Sequence, residues 1–540
     1  MKNPSLFLLA LLPLLLSCVT PTTDIKLKIH TVPVLALKSS NEVAEIRFDR
    51  PYDLQGVRLT LEASSSLSDL VCCSLFADGK ELFSKPFSKS GRKASVFLPL
   101  AMNVDTLMVL KVLFSLRDKV DLDNTIRISK AVFQTTEGEK AAEISGAPFL
   151  RTGIALRQAG QDGCDNCRIP GLATTNDGTL IAIYDARYDL DRDLQGNIDI
   201  CCNRSTDGGM TWSPMARILD MGSWGSLPEK YNGVSDASIT VDKNTGEIFV
   251  AGTWMYGVLD EATGRFIEGL DEHSTEWNHQ WRKNGTQPGY DVKQSSQMLI
   301  ARSTDDGLSW SEPENITRQV KPESWWLMTT APGAGITLRD GTIVIPAQGR
   351  TEKGMSVSTL ISSRDHGKTW TSGTRITDAV PTNECMAVEL SDGSLMLNCR
   401  STSNRGHKDV NGRVIGVTTD LGQTWTDHPT SRKALIEPTC QASLLRHDYV
   451  SEDGRVTPVL LFFNPNDTDR RIHHTLKCSL DEGQTWPEDL WIELDEGLGN
   501  GYSCLCVIDN ETIGILYEGS GANLIFQRVK IADLLKDASL

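Results

Sequence analysis

The chain has 540 residues and a formal net charge of −16, with 39% hydrophobic and 23% charged residues. One hydrophobic core rarely grows beyond roughly 250–300 residues, so this length predicts at least two domains unless a repeat architecture carries the mass. The acidic balance argues against a nucleic-acid partner, which requires a basic surface. An anionic small substrate stays open, because salt screens surface charges beyond about 10 Å and a local arginine cluster can dominate a pocket.

The N-terminus has the features of a targeting signal. Lys2 supplies a positive charge, and residues 6–16 are apolar apart from one proline. Because this run is too short to cross a bilayer as a helix, it predicts a signal peptide. Cys18 follows a small residue at the end of the run, which predicts a lipoprotein signal over residues 1–18; the alternative is a plain signal with an incidental cysteine. We therefore expect an exported protein, in the periplasm or anchored by lipid at the outer membrane, that contacts membrane only through that anchor.

Residues 24–145 show the pattern of a small all-β domain. Short stretches alternate apolar and polar residues at 44–48, 57–61 and 108–116, and turns such as Asp78-Gly79 separate them. This pattern predicts a β-sandwich, followed by a linker near residues 136–146. The sandwich is expected either to bind carbohydrate as a module or to pack against the rest of the chain.

An internal repeat begins after this region. The form Ser/Thr-x-Asp-x-Gly-x-Ser/Thr-Trp occurs five times, at residues 205–212, 303–310, 363–370, 418–425 and 479–486. The aspartate can accept hydrogen bonds from its own turn, the glycine can take a positive φ, and the tryptophan can pack between neighbouring sheets. We interpret these repeats as structural turns and not as catalytic acids.

The spacing of the repeats predicts their arrangement. Most intervals are close to the 40–60 residues that one four-stranded sheet with its loops requires. Sheets arranged radially form a β-propeller, predicted here over residues 146–540. The longest interval leaves room for an extra sheet or an insertion, for which the polar stretch 254–290 is the candidate.

The repeat resembles the Asp-box propellers of the sialidase (neuraminidase) superfamily, over about residues 149–529. This resemblance implies a six-bladed propeller and a pocket built from separate blades. An Arg-Ile-Pro element precedes the first box and gives Arg168 as a pocket arginine. Arg187 and Asp193, six residues apart, resemble the second pocket arginine and the acid/base aspartate; composition alone does not separate Asp193 from Asp189 and Asp191.

Five further residues correspond to the family's site. Glu384 and Arg400 resemble its glutamate and the second arginine of a triad that Arg168 begins. The third arginine of the triad is expected at Arg470 or Arg471, with Arg471 favoured because a strand is predicted to follow it. Tyr502 resembles the nucleophile, with Tyr517 as a rival that is predicted to lie in the core. Asp236 matches a further pocket aspartate.

The chemistry of sialic acid explains this combination. Three arginines can hold the sugar's carboxylate by charge-assisted hydrogen bonds. A neutral tyrosine avoids the repulsion that a carboxylate nucleophile would meet there, and tyrosine nucleophiles are a recognised exception among glycosidases. The resemblance therefore implies an exo-α-sialidase that acts on glycoproteins, glycolipids and oligosaccharides with retention. Tyr502 would attack, Glu384 would take its proton, and Asp193 would serve as acid and base.

Two alternatives share the same fold: a non-catalytic sialic-acid-binding lectin, which need not keep Asp193, Glu384 and Tyr502, and a trans-sialidase. The pattern implies no cofactor, no metal site and no obligate protein partner. Cys164 and Cys167 form a C-x-x-C pair without the second pair that a zinc site would require, and the disulfide state stays open.

Overall fold

The computed structural model describes residues 23–189, 191, 193, 196–223, 229, 232–256, 259–260, 263, 265–267, 288–292, 295–408 and 411–535. The predicted signal peptide with Cys18, and most of the candidate insertion at 254–290, lie outside the described residues. Among the described residues, the helices are all too short or too polar to cross a bilayer.

Strands form nearly all of the regular structure. The N-terminal part contains β1 (Ile25–Ile29), β2 (Val34–Ala36), β3 (Asn41–Phe48), β4 (Tyr52–Ala63), β5 (Leu70–Ala77), β6 (Lys80–Pro86), β7 (Lys93–Val104), β8 (Val109–Leu116), β9 (Thr125–Thr135), β10 (Gly138–Ala141) and β11 (Glu143–Gly146).

The middle of the chain contains β12 (Leu150–Arg157), β13 (Asn166–Thr174), β14 (Leu180–Arg187), β15 (Ile198–Ser205), β16 (Ala216–Leu219), β17 (Asn232–Val241), β18 (Ile248–Tyr256), β19 (Leu259–Asp260), β20 (Arg265–Phe266), β21 (Gln297–Ser303), β22 (Glu314–Asn315), β23 (Leu327–Thr330), β24 (Gly333–Ala334), β25 (Ile336–Thr337), β26 (Ile343–Arg350), β27 (Ser356–Ser363) and β28 (Thr371–Ser372).

The C-terminal part contains β29 (Thr382–Glu389), β30 (Leu395–Ser401), β31 (Val414–Thr418), β32 (Thr426–Asp427), β33 (Ser443–Val450), β34 (Val456–Pro465), β35 (His474–Ser479), β36 (Trp491–Asp495), β37 (Ser503–Asp509), β38 (Thr512–Tyr517) and β39 (Leu524–Lys530). The described helices are α1 (Thr317–Val320), α2 (Ile531–Leu534) and single 3-10 turns at Gln161–Gly163, Thr402–Asn404 and Glu488–Leu490.

Two sheets make up the N-terminal part. One has the strand order β11-β1-β3-β8-β5-β6, and β4, β7, β9 and β10 belong to the other. Alternate residues along these strands are buried, as in β7, and the buried faces share one core that includes Phe48, Phe114 and Phe133. The predicted linker at 136–146 is wrong, because β10 and β11 pair with β9 and β1 there.

Five larger sheets follow one another along the described part of the chain, each built mainly from successive antiparallel strands: β13–β16, β17–β18 with β21–β22, β23 with β26–β28, β29–β32 and β33–β36. β19 and β20 form a separate two-stranded sheet. The last strands, β37–β39, add β12 from the other end of this region. β12 also pairs with β9 through Leu150 and Ile126, so one sheet continues from the C-terminal strands into the N-terminal part.

The repeated turns have the predicted chemistry. In each copy the aspartate accepts from the hydroxyl two residues before it and from the backbone N–H and hydroxyl four residues after it, as Asp365 does with Ser363 and Thr369. The glycine of the repeat has a positive φ in all five copies. Three of the tryptophans make edge-on contacts with rings of other strands: Trp212 with Phe526, Trp370 with Phe249, and Trp486 with Phe462.

Candidate active site

A polar pocket of about 590 Å³ lies where several sheets meet. Its lining includes seven of the eight residues expected from the sequence: Arg168, Asp193, Asp236, Glu384, Arg400, Arg471 and Tyr502. Side chains that sequence reasoning did not identify complete the polar wall: Gln348, Arg350, Ser356, Asn383, Thr402 and Arg405. Residues far apart in the chain meet here because they lie at or near strand ends of successive sheets.

Tyr502 and Glu384 form the buried centre of the pocket. The Tyr502 hydroxyl donates a short hydrogen bond to Glu384 Oε1, and Arg400 Nη1 donates to Glu384 Oε2 at 2.5 Å and to the Tyr502 hydroxyl at 3.1 Å. Burial, followed by the charge of Glu384, raises the pKa of the Tyr502 phenol well above its usual value. The phenol is therefore neutral in the free site, with a carboxylate already placed to accept its proton.

Two more arginines flank the same ring. The guanidinium carbon of Arg168 lies 5.4 Å from the centre of the Tyr502 ring, and that of Arg471 lies 5.6 Å from it. Together with Arg400 they place three guanidinium groups from β13, β30 and the turn after β34 around one phenol. A carboxylate in the pocket could bind all three, since each group has several donors in a fixed plane.

Glu518, which was not among the residues expected at the site, holds Arg168 in position. Its two carboxylate oxygens accept from Arg168 Nε and Nη2, each at 3.1 Å. They also accept from the backbone N–H groups of Ile169 at 2.8 Å and Tyr502 at 3.2 Å. One buried carboxylate thus joins the segment that carries Arg168 to the segment that carries Tyr502. Its only sequence signal is its place after the apolar run 513–516.

Asp193 lies on a loop at the pocket wall, and 65% of its side-chain surface is exposed. Its carboxylate is 3.0 Å from Arg187 Nη1 and 3.5 Å from Arg168 Nη1. Partial withdrawal from water raises the pKa of Asp193, but the charges of Arg187 and Arg168 outweigh this effect and leave the pKa below its usual value. The exposed aspartate is therefore ionised in the free site.

Arg187 differs from the expectation of a residue that lines the pocket. Its side chain is 1% exposed and lies behind Asp193, where it pairs with Asp185 at 3.0 Å as well as with Asp193. In this structure it reaches the pocket through Asp193. Six-residue spacing could not reveal this depth, because Arg187 ends β14 while Asp193 belongs to the following loop.

Asp236 lines the floor of the pocket in a left-handed backbone conformation, with φ of 56°. Its backbone N–H donates to Asp185 at 3.2 Å. Burial, and then the nearby Asp185 charge, raise the pKa of Asp236 well above its usual value, and burial raises the pKa of Asp185 to about 7. Burial and the repulsion between the two carboxylates therefore favour the protonated form of Asp236.

The structure also separates the two pairs of rival residues. Arg471 lines the pocket and donates to the Asn500 carbonyl at 2.7 Å, whereas Arg470 is exposed. The strand that was expected to follow Arg471 directly begins instead at His474, so both arginines lie in the turn before it. Tyr517 is fully buried and donates to Gln527, as expected for a core residue.

One group of side chains in the described part of the chain has the spacing of metal ligands: Asp199, Asp220 and Glu229. Arg217 Nε lies 3.1 Å from Asp199 and already balances its charge. Burial and the neighbouring Asp220 raise the pKa of Asp199 to about 7. This group is separate from the residues that line the pocket.

Comparison with known proteins shows the family of the chain. A BNR repeat-like domain matches residues 169–490. A sialidase of Bacteroides fragilis (strain YCH46) is 42% identical over 392 residues, which are 72% of this chain and 66% of the relative. The chain belongs to the bacterial exo-sialidase family of glycoside hydrolases.

Other members show the same relationship. A sialidase of Micromonospora viridifaciens is 33% identical over 72% of this chain and 56% of its own length. The match therefore spans less than two thirds of each of these two sialidases. The solved structure of Hadza microbial sialidase Hz136 has a TM-score of 0.79 and 34% identity, and the match covers 94% of this chain and 99% of that one. The all-β fold is thus that of the sialidase structures.

Proposed function

We propose that this sialidase-family protein is an exo-α-sialidase that hydrolyses terminal sialic acid from glycoproteins, glycolipids and oligosaccharides with retention of configuration. One observation carries the proposal: three guanidinium groups surround a buried tyrosine whose hydroxyl is bonded to a glutamate. This arrangement suits a sugar that bears a carboxylate on its anomeric carbon.

Binding follows from the charges of the pocket. Arg168, Arg400 and Arg471 hold the substrate carboxylate, and Glu518 keeps Arg168 from turning away. The carboxylate then fixes the anomeric carbon above Tyr502. Asp236 and the polar wall face the remainder of the sugar, with the floor carboxyl able to donate a hydrogen bond while it is protonated.

Catalysis begins at the phenol. Tyr502 attacks the anomeric carbon while Glu384 takes its proton, so no free phenolate has to form in a buried site. Asp193, once protonated, gives its proton to the departing glycosidic oxygen. In the second step it removes a proton from water, which releases the sugar from Tyr502. Two displacements at one carbon give retention.

The fold proposal follows from the sheet order. We assign the five successive sheets, with β37–β39 and β12 as the sixth, to a six-bladed β-propeller over residues 146–540. The two N-terminal sheets are assigned to a β-sandwich over residues 24–145. The sheet shared through β12 favours a sandwich that braces the last blade over one that acts as a detached carbohydrate-binding module.

The signal at residues 1–18 leads us to propose export and a lipid anchor at Cys18. The proposed reaction uses protein side chains and water, and it assigns no step to a metal or an organic cofactor. Sialylated glycoconjugates are the partners that it requires.

Release of fluorophore from a 4-methylumbelliferyl sialoside tests the function, with the matching galactoside and glucoside as controls. Hydrolysis of the sialoside alone is the expected result. Hydrolysis of the galactoside in its place would overturn the substrate assignment. A lectin would bind the sialoside without releasing fluorophore. When lactose is added as an acceptor, a trans-sialidase would form sialyllactose in place of free sialic acid.

A further inference from the structure

The C-x-x-C pair lies outside the proposed catalytic chemistry but directly before Arg168. Cys164 and Cys167 are 1% and 0% exposed and belong to one hydrophobic cluster. Their thiols are close enough to share a hydrogen bond. The turn that leads into Cys164 is exposed at Asp162 and Gly163, and it is held by hydrogen bonds from Gly160 N to the Cys164 carbonyl at 2.8 Å and from Cys164 N to the Gln161 carbonyl at 3.0 Å. Cys167 already belongs to β13.

A buried cation faces these thiols. Arg157 is 4% exposed; its Nη1 donates to Asp162 at 2.7 Å and its Nη2 to the Gln161 carbonyl at 3.3 Å, both in the same turn. Its Nε is buried and has no hydrogen-bond partner among the described residues. A thiolate beside it would supply the acceptor that this N–H otherwise lacks.

We propose that Cys164 and Cys167 are a redox-active pair, activated by Arg157, that closes to a disulfide by exchange with a disulfide-bearing oxidant. Cys164 ends the turn and Cys167 is the second residue of β13, and a C-x-x-C pair placed in this way can close once its sulfur atoms come within about 2 Å of each other. Closure ties the exposed turn to the first residues of β13, the strand that carries Arg168 into the pocket.

The electronic environment favours Cys164 as the attacking group. The hydrogen bond from Cys167, together with the charge of Arg157, lowers the pKa of the Cys164 thiol although burial opposes the shift. The same hydrogen bond, together with burial, raises the pKa of Cys167. Cys164 also borders the exposed residues of the turn, whereas Cys167 lies in β13, so Cys164 is assigned the attack on the oxidant and Cys167 the closure of the bridge.

The exchange balances in two steps. The Cys164 thiolate attacks one sulfur of the oxidant's disulfide, which forms a mixed disulfide and releases the first oxidant thiolate. Cys167 then loses its proton and attacks the Cys164 sulfur, which closes the protein disulfide and releases the second thiolate. The two protein thiols lose two protons and two electrons, and the oxidant's disulfide is reduced to two thiols.

A second cysteine pair provides an internal comparison. Cys385 and Cys399 face each other on β29 and β30 and are also buried, at 1% and 0% exposure. Burial raises the pKa of Cys385 well above its usual value. Since this pair lies inside a sheet and has no exposed turn over it, we expect it to stay reduced where Cys164 and Cys167 oxidise.

The test uses the full-length protein equilibrated with mixtures of reduced and oxidised glutathione. After acid quenching and denaturation, N-ethylmaleimide labels the free thiols, and mass spectrometry of the peptides reads each pair. We expect Cys164 and Cys167 to lose their labels together, in a peptide lighter by two hydrogen atoms, at an oxidant ratio that leaves Cys385 and Cys399 labelled. Full labelling of the first pair at every ratio, or glutathione adducts without closure, would overturn the proposal.

Substitutions of Arg157 separate activation from burial. Arg157→Gln should slow closure by about threefold to tenfold, since it removes the charge that favours the thiolate, and Arg157→Lys should recover most of that rate. Equal rates in all three proteins would remove Arg157 from the proposal. If Arg157→Gln does not fold, the pH dependence of closure in the unchanged protein decides, because an activated Cys164 gives a midpoint below that of free glutathione.

Discussion

Tyr502 and Glu384 are 7% and 6% exposed; Tyr502 directly precedes β37 and Glu384 lies in β29. Asp193 instead lies on a loop, with 65% of its side-chain surface exposed. The first two are fixed by hydrogen bonds among themselves and with Arg400. Asp193 is held by two arginines, and one of these, Arg168, is also the proposed ligand of the substrate carboxylate.

The contrast shows how the nucleophile and the acid/base group of one site can be prepared differently. Tyr502 and Glu384 form the buried half of the site, and Asp193 forms its exposed half. A buried nucleophile gains from rigid partners, because its proton must leave as the bond forms. A group that must first donate and later accept a proton benefits when binding of the substrate changes its charged neighbours, because its pKa then changes during the reaction. When a substrate carboxylate engages Arg168, Asp193 loses part of its cationic neighbourhood and its affinity for a proton rises.

The largest expected effect comes from the buried half. Tyr502→Phe keeps the ring but removes the attacking oxygen, and should lower kcat/KM on the umbelliferyl sialoside by about 10³-fold or more. Tyr517→Phe is the matched control, since it removes only a hydrogen bond to Gln527 in the core. Near-normal activity of Tyr502→Phe would exclude the phenol as nucleophile.

The role of Asp193 as an acid should appear when substrates with different leaving groups are compared. Asp193→Asn cannot supply a proton, so hydrolysis of sialyllactose should fall by about 10²- to 10³-fold. Hydrolysis of the umbelliferyl sialoside should fall far less, because its leaving group needs little protonation. Asp191→Asn removes a neighbouring exposed carboxyl and should have little effect on either substrate. Equal losses of Asp193→Asn on both substrates would contradict the acid role.

Glu518 links the two halves and should affect binding more than chemistry. Glu518→Gln replaces the carboxylate that accepts two hydrogen bonds from Arg168, so Arg168 is held less firmly. We expect KM to rise about tenfold with a smaller change in kcat. Glu437→Gln is the control, because Glu437 forms an equally buried ion pair with Arg413 outside the pocket lining. The control should lower the melting temperature without raising KM; a similar KM change in both variants would refute the special role of Glu518.

The pH dependence should reveal the exchange of partners at Asp193. In the free site Arg187 and Arg168 hold the pKa of Asp193 below its usual value. A bound carboxylate adds a like charge and occupies Arg168, which raises that pKa. Since the acid must be protonated, the alkaline limb for sialyllactose should lie about 1 unit higher for kcat than for kcat/KM. Coincident limbs would show that substrate leaves Asp193 unchanged.

The sequence was sufficient for features that depend on local chemistry. Repeated Asp, Gly and Trp residues predicted the turns, and short motifs predicted Arg168, Glu384 and Tyr502, which meet because each lies near the end of a strand. Glu518 could not be found this way, because its partner Arg168 is 350 positions away. The depth of Arg187 and the strand β11, which pairs with the distant β1, likewise depend on tertiary contacts that composition does not encode. The hairpin of β9 and β10 is local, and its short arm at 138–141 was missed.

The smallest effect should come from the repeated turns, far from either half of the site. Hydrogen bonds from Thr369, and one from Ser363, lower the pKa of Asp365 to about 2. Because the folded value lies below the unfolded one, this stabilisation is complete above about pH 4 and is lost as pH falls through about 2. Asp365→Asn should lower the melting temperature by about 1–3 °C at pH 6. The gap from the unchanged protein should narrow towards pH 2, while activity per folded molecule at pH 6 stays the same. A gap that is constant with pH would mean that the charge of Asp365 does not stabilise the turn.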